Sequence, residues 1–131
     1  MKSFKNIGNL DNEKLKFISE KRPDFASKIK SNDILMWDNR FEHIEKHRMN
    51  FMNIYDFDEY VKKIPDIIET PDYIGIKDKD ESIQFIKQYN DNILIAVRVN
   101  AKGNLSFRTM YPITDGQLRD YIKKNTAWKY K

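Results

Sequence analysis

At 131 residues, with 40% hydrophobic and 13% aromatic content, the chain has the composition of one folded domain, too short for two and too apolar for a disordered segment. The absence of cysteine excludes disulfides, thiolate metal sites and a thiol nucleophile. The net charge is only +4, yet residues 82–131 carry 9 basic against 3 acidic groups with Phe, Tyr and Trp interleaved, a footprint that suits a polyanion such as RNA as well as an ordinary solvated surface.

The opening segment lacks the continuous apolar run of a signal peptide, and nowhere do 18 apolar residues follow one another, so a cytoplasmic protein without a membrane partner is expected. After Asp11, Leu15, Phe17 and Ile18 give a weak amphipathic pattern that "KRPDF" breaks, which predicts a short N-terminal helix. "DILMW" (Asp33–Trp37) reads as a strand, and Asp38 or Asn39 as the N-cap of a helix reaching about Met49. Trp37, Phe41, Ile44 and the stem of Arg48 share its core side; Arg40, His43 and His47 form a stripe along its flank, where side chains line clefts.

"DFDEYVKKIPDIIETP" places Phe57, Tyr60, Val61, Ile64, Ile67 and Ile68 at helical spacing, with Asp56 and Glu59 resembling a capping box, Pro65 kinking or splitting the helix and Pro71 ending it. From Tyr73 the period becomes two. "YIGIK", "SIQFIKQY", "NILIAVRVN" and "LSFRTMYPI" predict four antiparallel strands in a meander. "DGQLRDYIKK", opened by an Asp cap, predicts a closing helix with Leu118, Tyr121 and Ile122 on one face. The predicted fold class is α+β: N-terminal helices packed on one face of a four-stranded antiparallel meander sheet, with a C-terminal helix, in a single domain spanning residues 1–131. The four glycines are isolated, so there is no phosphate-cradling loop.

The only two histidines, His43 and His47, stand four apart and suit three chemistries. They can hold one metal ion, but in "HIEKH" the place of the general base of an H-E-x-x-H metalloprotease is taken by Ile44. Without metal, an imidazole can take the proton of an RNA 2′-hydroxyl while a second group protonates the leaving 5′-oxygen. They can also be plain surface residues. If "NAKGN" turns the hairpin with residues 99 and 105 opposite, Ala96, Arg98, Ser106, Arg108 and Met110 share one face, and Ile95, Val97, Leu105, Phe107, Thr109 and Tyr111 the other.

Taken in order, the helix with "HIEKH", then "PDYIG", "SIQFIK", "ILIAVRVN" and "LSFRTMYPI", resembles the phage and mobile-element nuclease domains grouped with barnase, EndoU, bacteriocin tRNases and RelE (the BECR or PBECR group). The resemblance covers residues 34–122, the nuclease-like core, and leaves residues 1–33 as an N-terminal helical extension. It implies cofactor-free, metal-independent cleavage of RNA, tRNA included, to a 2′,3′-cyclic phosphate, in a toxin-like setting where an inhibitor (immunity or antitoxin) protein is a partner. It implies His43, His47, Lys87, Thr109 and Tyr111 as catalytic residues and Ser82 as a weaker match; Arg98 and Arg108 would guide RNA beside Ser82. A cleft at the edge of the histidine helix is expected to hold His47, Lys87 and Tyr111. The phasing above separates Thr109 and Tyr111 from the arginines unless a bulge shifts the register. Two other classes stay open: a non-catalytic RNA- or protein-binding module, and a metal-dependent hydrolase using the His43/His47 pair.

Overall fold

The alternating apolar residues after Tyr73 form four consecutive antiparallel strands, β3 (Tyr73–Lys77), β4 (Ser82–Gln88), β5 (Asn92–Val99) and β6 (Leu105–Ile113), in a computed structural model that describes residues 3–51 and 53–130. These strands are the middle of a larger sheet. Strands β1 (Phe4–Asn9) and β2 (Asp33–Trp37) extend it on one side and β7 (Ala127–Lys129) on the other, giving the order β1-β2-β6-β5-β4-β3-β7. Strand β2 runs parallel to β6, through Ile34↔Leu105 and Leu35↔Ser106, so the sheet is mixed. The α+β class stands, but a seven-stranded mixed sheet replaces the expected four-stranded antiparallel meander.

The physical reason lies in the edges. In β1 only Ile7 is buried, and β7 has three residues, so neither shows the two-residue alternation that marks a half-buried strand. Each is defined by its partner instead: β1 by the antiparallel pairing Phe4↔Trp37 to Asn9↔Asp33, β7 by Tyr73↔Lys129 to Gly75↔Ala127.

Helices cover both faces. Ile74, Ile76, Ile83, Phe85, Ile93, Ile95, Val97, Phe107 and Met110 join residues of α1 (Asn12–Lys21), α2 (Pro23–Ala26), α3 (Arg40–Glu45), α4 (Asp56–Lys62) and α5 (Ile64–Glu69) in the main core. On the opposite face Ile86, Leu94, Ala96 and Ile113 pack against Leu118 of α6 (Asp115–Lys123). Helix α6 is therefore a lid on the face that α1–α5 leave open, and it covers only part of it.

Several local expectations are corrected by the backbone. The long helix after β2 ends at Glu45, passes through a turn and continues as a short 3₁₀ segment, Arg48–Asn50. Neither Asn39 nor Asp56 caps through its side chain: α3 and α4 begin without a side-chain cap bond, with Asn39 and Tyr55 already in helical backbone. Helices α4 and α5 are separate, because Pro65 fits the first turn of a new helix and cannot continue an old one. Thr114, rather than Asp115, caps α6, in a reciprocal capping box with Gln117. In the β5–β6 hairpin Val99 and Leu105 do face each other, and Gly103 adopts a left-handed φ of 84°, its carbonyl accepting from Lys30 N–H at 2.9 Å.

Candidate active site

Strand β6 carries one residue too many. Val97 pairs with Phe107 but Ala96 pairs with Thr109, leaving Arg108 as the extra residue of a β-bulge. Without the bulge, strict alternation would set Thr109 and Tyr111 among the core residues. With it, Met110 turns into the main core, fully buried, and Thr109 and Tyr111 turn to the α6 face. Cross-strand rows fix what they meet there. Lys77, Ser82, Arg98 and Ser106 form one row, Gly75, Gln84, Ala96 and Thr109 the next, Tyr73, Ile86, Leu94 and Tyr111 the third. The arginine and tyrosine sets, apart in the sequence phasing, thus share one face.

The histidines reach the same region from the side. Strand β2 pairs with β6 only at its start, so beyond Ser106 the edge of β6 is free, and α3 occupies it. The Arg40 guanidinium donates to the Arg108 carbonyl at 3.3 Å, and Ile44, fully buried, anchors the helix in the main core. That burial explains why Ile44 stands between the two histidines. His47 lies past the helix end, in the tightened turn where its N–H donates to the Ile44 carbonyl at 2.9 Å. The turn is held from outside by Arg48, which bridges Glu45 and Asp58 and lies over the Phe57 ring.

As a result the rings of His43 and His47 lie 6.0 Å apart, and His47 lies 5.7 Å from the Tyr111 ring. The Asn50 side-chain amide nitrogen lies 3.4 Å from His47 Nδ1. His43 titrates below its ordinary value, first because it is half-buried and then because Arg40, His47, Lys46 and Arg108 surround it with positive charge. It is therefore neutral at pH 7. Burial raises the Tyr111 phenol, with Lys77 and Arg108 pulling the other way, so that it keeps its proton.

Where β2 and β6 diverge, a cavity of about 420 Å³ opens, lined by Trp37, Asn39, Arg40, Arg98, Ser106, Phe107 and Arg108. Three of the seven are arginines and none is acidic. Such a site has the charge and the bidentate donors that a phosphodiester needs.

The other residues singled out in the sequence fall as follows. Thr109 is buried on the site face, and its Oγ1 has no hydrogen-bond partner among the described residues. Ser82 is buried in the same row as Arg98, its hydroxyl donating to the Asp80 carbonyl at 3.3 Å. Lys87 pairs with Ile93, one step out of phase with the Ile86–Leu94–Tyr111 row, so it points to the opposite face. Its Nζ donates to the Thr70 carbonyl at 2.6 Å and Oγ1 at 3.1 Å, just past α5. The structure thus does not bring Lys87 to His47 and Tyr111. Lys77 occupies the site face instead, close enough to Tyr111 and Tyr121 for their charges to interact, with its ammonium on Asp80 at 3.1 Å. No sequence signal marks Lys77, whereas Arg40 does lie in the histidine stripe.

Among the described residues no three His, Cys, Asp or Glu side chains are grouped as they would be to hold a metal ion, and Glu45, which lies between the two histidines in sequence, is held by Arg48 below the usual carboxylate range. Among the described residues no helix is long and apolar enough to cross a membrane. Neither the curated proteins nor the solved structures contain a match to this chain. Its sequence from residue 7 to residue 120 does match one family model, that of the phage-Barnase-EndoU-ColicinE5/D-RelE like nuclease3 family (PBECR3), and the chain belongs to that family of nucleases.

Proposed function

We propose that the protein is an endoribonuclease of phage or mobile-element origin that cleaves RNA without a metal, by acid/base transesterification. The observation that carries this is a neutral imidazole, His43, set among cations and 6.0 Å from a second imidazole, with two of those cations, Arg40 and Arg108, lining the arginine cavity. His43 takes the proton of the 2′-hydroxyl as the 2′-oxygen attacks phosphorus. The bond from phosphorus to the 5′-oxygen breaks, and that oxygen receives a proton from protonated His47, which stands beside Tyr111. The products are a 2′,3′-cyclic phosphate and a free 5′-hydroxyl. Arg40, Arg98 and Arg108 stabilise the charge that gathers on the phosphorane oxygens, where fixed donors in a half-dry site act more strongly than water. The Thr109 hydroxyl, on the same face of the sheet as Tyr111, serves as a further donor. An inhibitor protein would meet the arginine cavity with acidic side chains.

Incubating the protein with total RNA and with tRNA, in the presence and absence of EDTA, tests this. Cleavage is expected to survive EDTA and to fall ~10²- to 10⁴-fold in His47→Ala, the usual share of one acid/base group. Cleavage abolished by EDTA would restore a metal to the His43/His47 pair, and salt-sensitive RNA binding without cleavage would leave a binding module.

A further inference from the structure

The site face of the sheet does not end at the arginine cavity. Trp37, which lines that cavity, is paired across the β1–β2 ladder with Phe4, and their rings lie 4.9 Å apart at 59°. Ile34 and Met36 face the main core, so alternation turns Leu35 and Trp37, and with Trp37 its partner Phe4, to the side of Ser106 and Arg98. Phe4 is 53% exposed. Asp38, which follows Trp37, is tied to the N-terminal segment: its carboxylate accepts from the Ser3 hydroxyl, and its N–H donates to the Ser3 carbonyl at 3.1 Å.

A cross-strand aromatic pair can serve simply to tie an edge strand. Two features of this one go further. The Phe4 ring is left open to solvent, and Trp37 itself lines the cavity that holds Arg40, Arg98 and Arg108. Aromatic faces next to a basic groove are the arrangement that holds unpaired nucleotides, because every base offers a π-face and every link a phosphate. A duplex offers neither the faces of its bases nor the flexibility to lay them flat.

We propose that Phe4 and Trp37 form a stacking platform for an unpaired base flanking the scissile phosphate. This rests on the endoribonuclease proposal. It adds a subsite supplied by the N-terminal strand.

The test uses the full chain carrying His43→Ala, to keep RNA intact, and Trp128→Phe, which leaves Trp37 as the sole tryptophan. Binding of an unpaired oligonucleotide and of a blunt duplex of equal length is followed by Trp37 fluorescence and by anisotropy of a labelled RNA. The unpaired strand is expected to bind more tightly and to quench Trp37. Phe4→Ala, at an exposed ring, is expected to weaken it by ~5- to ~150-fold, the range that corresponds to loss of one base–aromatic stack. Phe4→Leu, which keeps an apolar side chain without a ring, is expected to behave as Phe4→Ala. Unpaired RNA that binds without quenching and with equal strength in all variants would overturn the platform, as would a preference for the duplex. If the wild type cleaves RNA under those circumstances, the nuclease proposal survives and only the platform falls. If no RNA binds and none is cut, both fall.

Discussion

His43 shows how one side chain acquires a role from its neighbours. Half burial and four nearby cationic groups disfavour its protonated form, so the ring accepts a proton where an exposed histidine would already hold one. On the acid side the rate is accordingly expected to rise with pH, with the midpoint of that limb below the ordinary histidine value of 6.5. Arg40→Met removes one of these charges and should move that limb to higher pH; an unchanged midpoint in the pH–rate profile would mean that Arg40 does not tune His43. The same shift bears on folding. Because the folded state resists protonation, the unfolded chain binds the proton first as pH falls below 6.5, so stability declines through the window down to the lowered folded value. Thr109 offers a separate test. A buried hydroxyl without a partner costs stability, so Thr109→Val should keep or raise the unfolding midpoint while lowering activity, and equal activity would mark the hydroxyl as idle.

At the scale of elements, two devices bring the site together, and they differ in how well they can be read from sequence. Helix α3 was legible: the spacing of Trp37, Phe41 and Ile44 gives its core side, and Arg40, His43 and His47 its flank. Its break after Glu45 was not, since nothing in "EKHR" disfavours helix; the tie from Arg48 across to Asp58 of α4 holds the broken turn. The bulge at Arg108 was visible only as a conflict, with strict alternation burying Thr109 and Tyr111 and exposing Met110. An extra residue leaves no compositional mark when it is neither Gly nor Pro, so only the paired strand reveals it. Ile44→Val is expected to cost ~0.5–1.5 kcal/mol in chemical denaturation by removing one methyl from a full core, and to lower activity further by loosening the helix that carries His43. Normal activity at that stability loss would show that the histidines do not depend on α3's seating.

For the molecule as a whole, the four central strands and the closing helix follow from periodicity, while the edge strands β1 and β7 do not, because few of their residues are buried. The consequence is functional as well as architectural: the parallel β2–β6 contact, made over two residue pairs, leaves the rest of β6 free for α3 and opens the arginine cavity. Lys87, prominent in the linear motif, lies on the far face, whereas Arg40 reaches the Arg108 carbonyl and Lys77 lies near Tyr111. Phosphate contacts made by Arg40, Arg98 and Arg108 should make RNA binding fall with salt, and the log–log slope should drop by ~0.7 for each arginine replaced by methionine. Equal slopes in wild type and variants would remove these arginines from the RNA interface. The central claim, metal-free transesterification, is tested most directly by the chemistry of the product ends. A defined single-stranded RNA, incubated with the protein in EDTA, is expected to yield fragments ending in a 2′,3′-cyclic phosphate with 5′-hydroxyl partners, and a 2′-deoxy nucleotide at the cut position should block that cut. Fragments with 5′-phosphate ends, or cleavage indifferent to the missing 2′-hydroxyl, would contradict it.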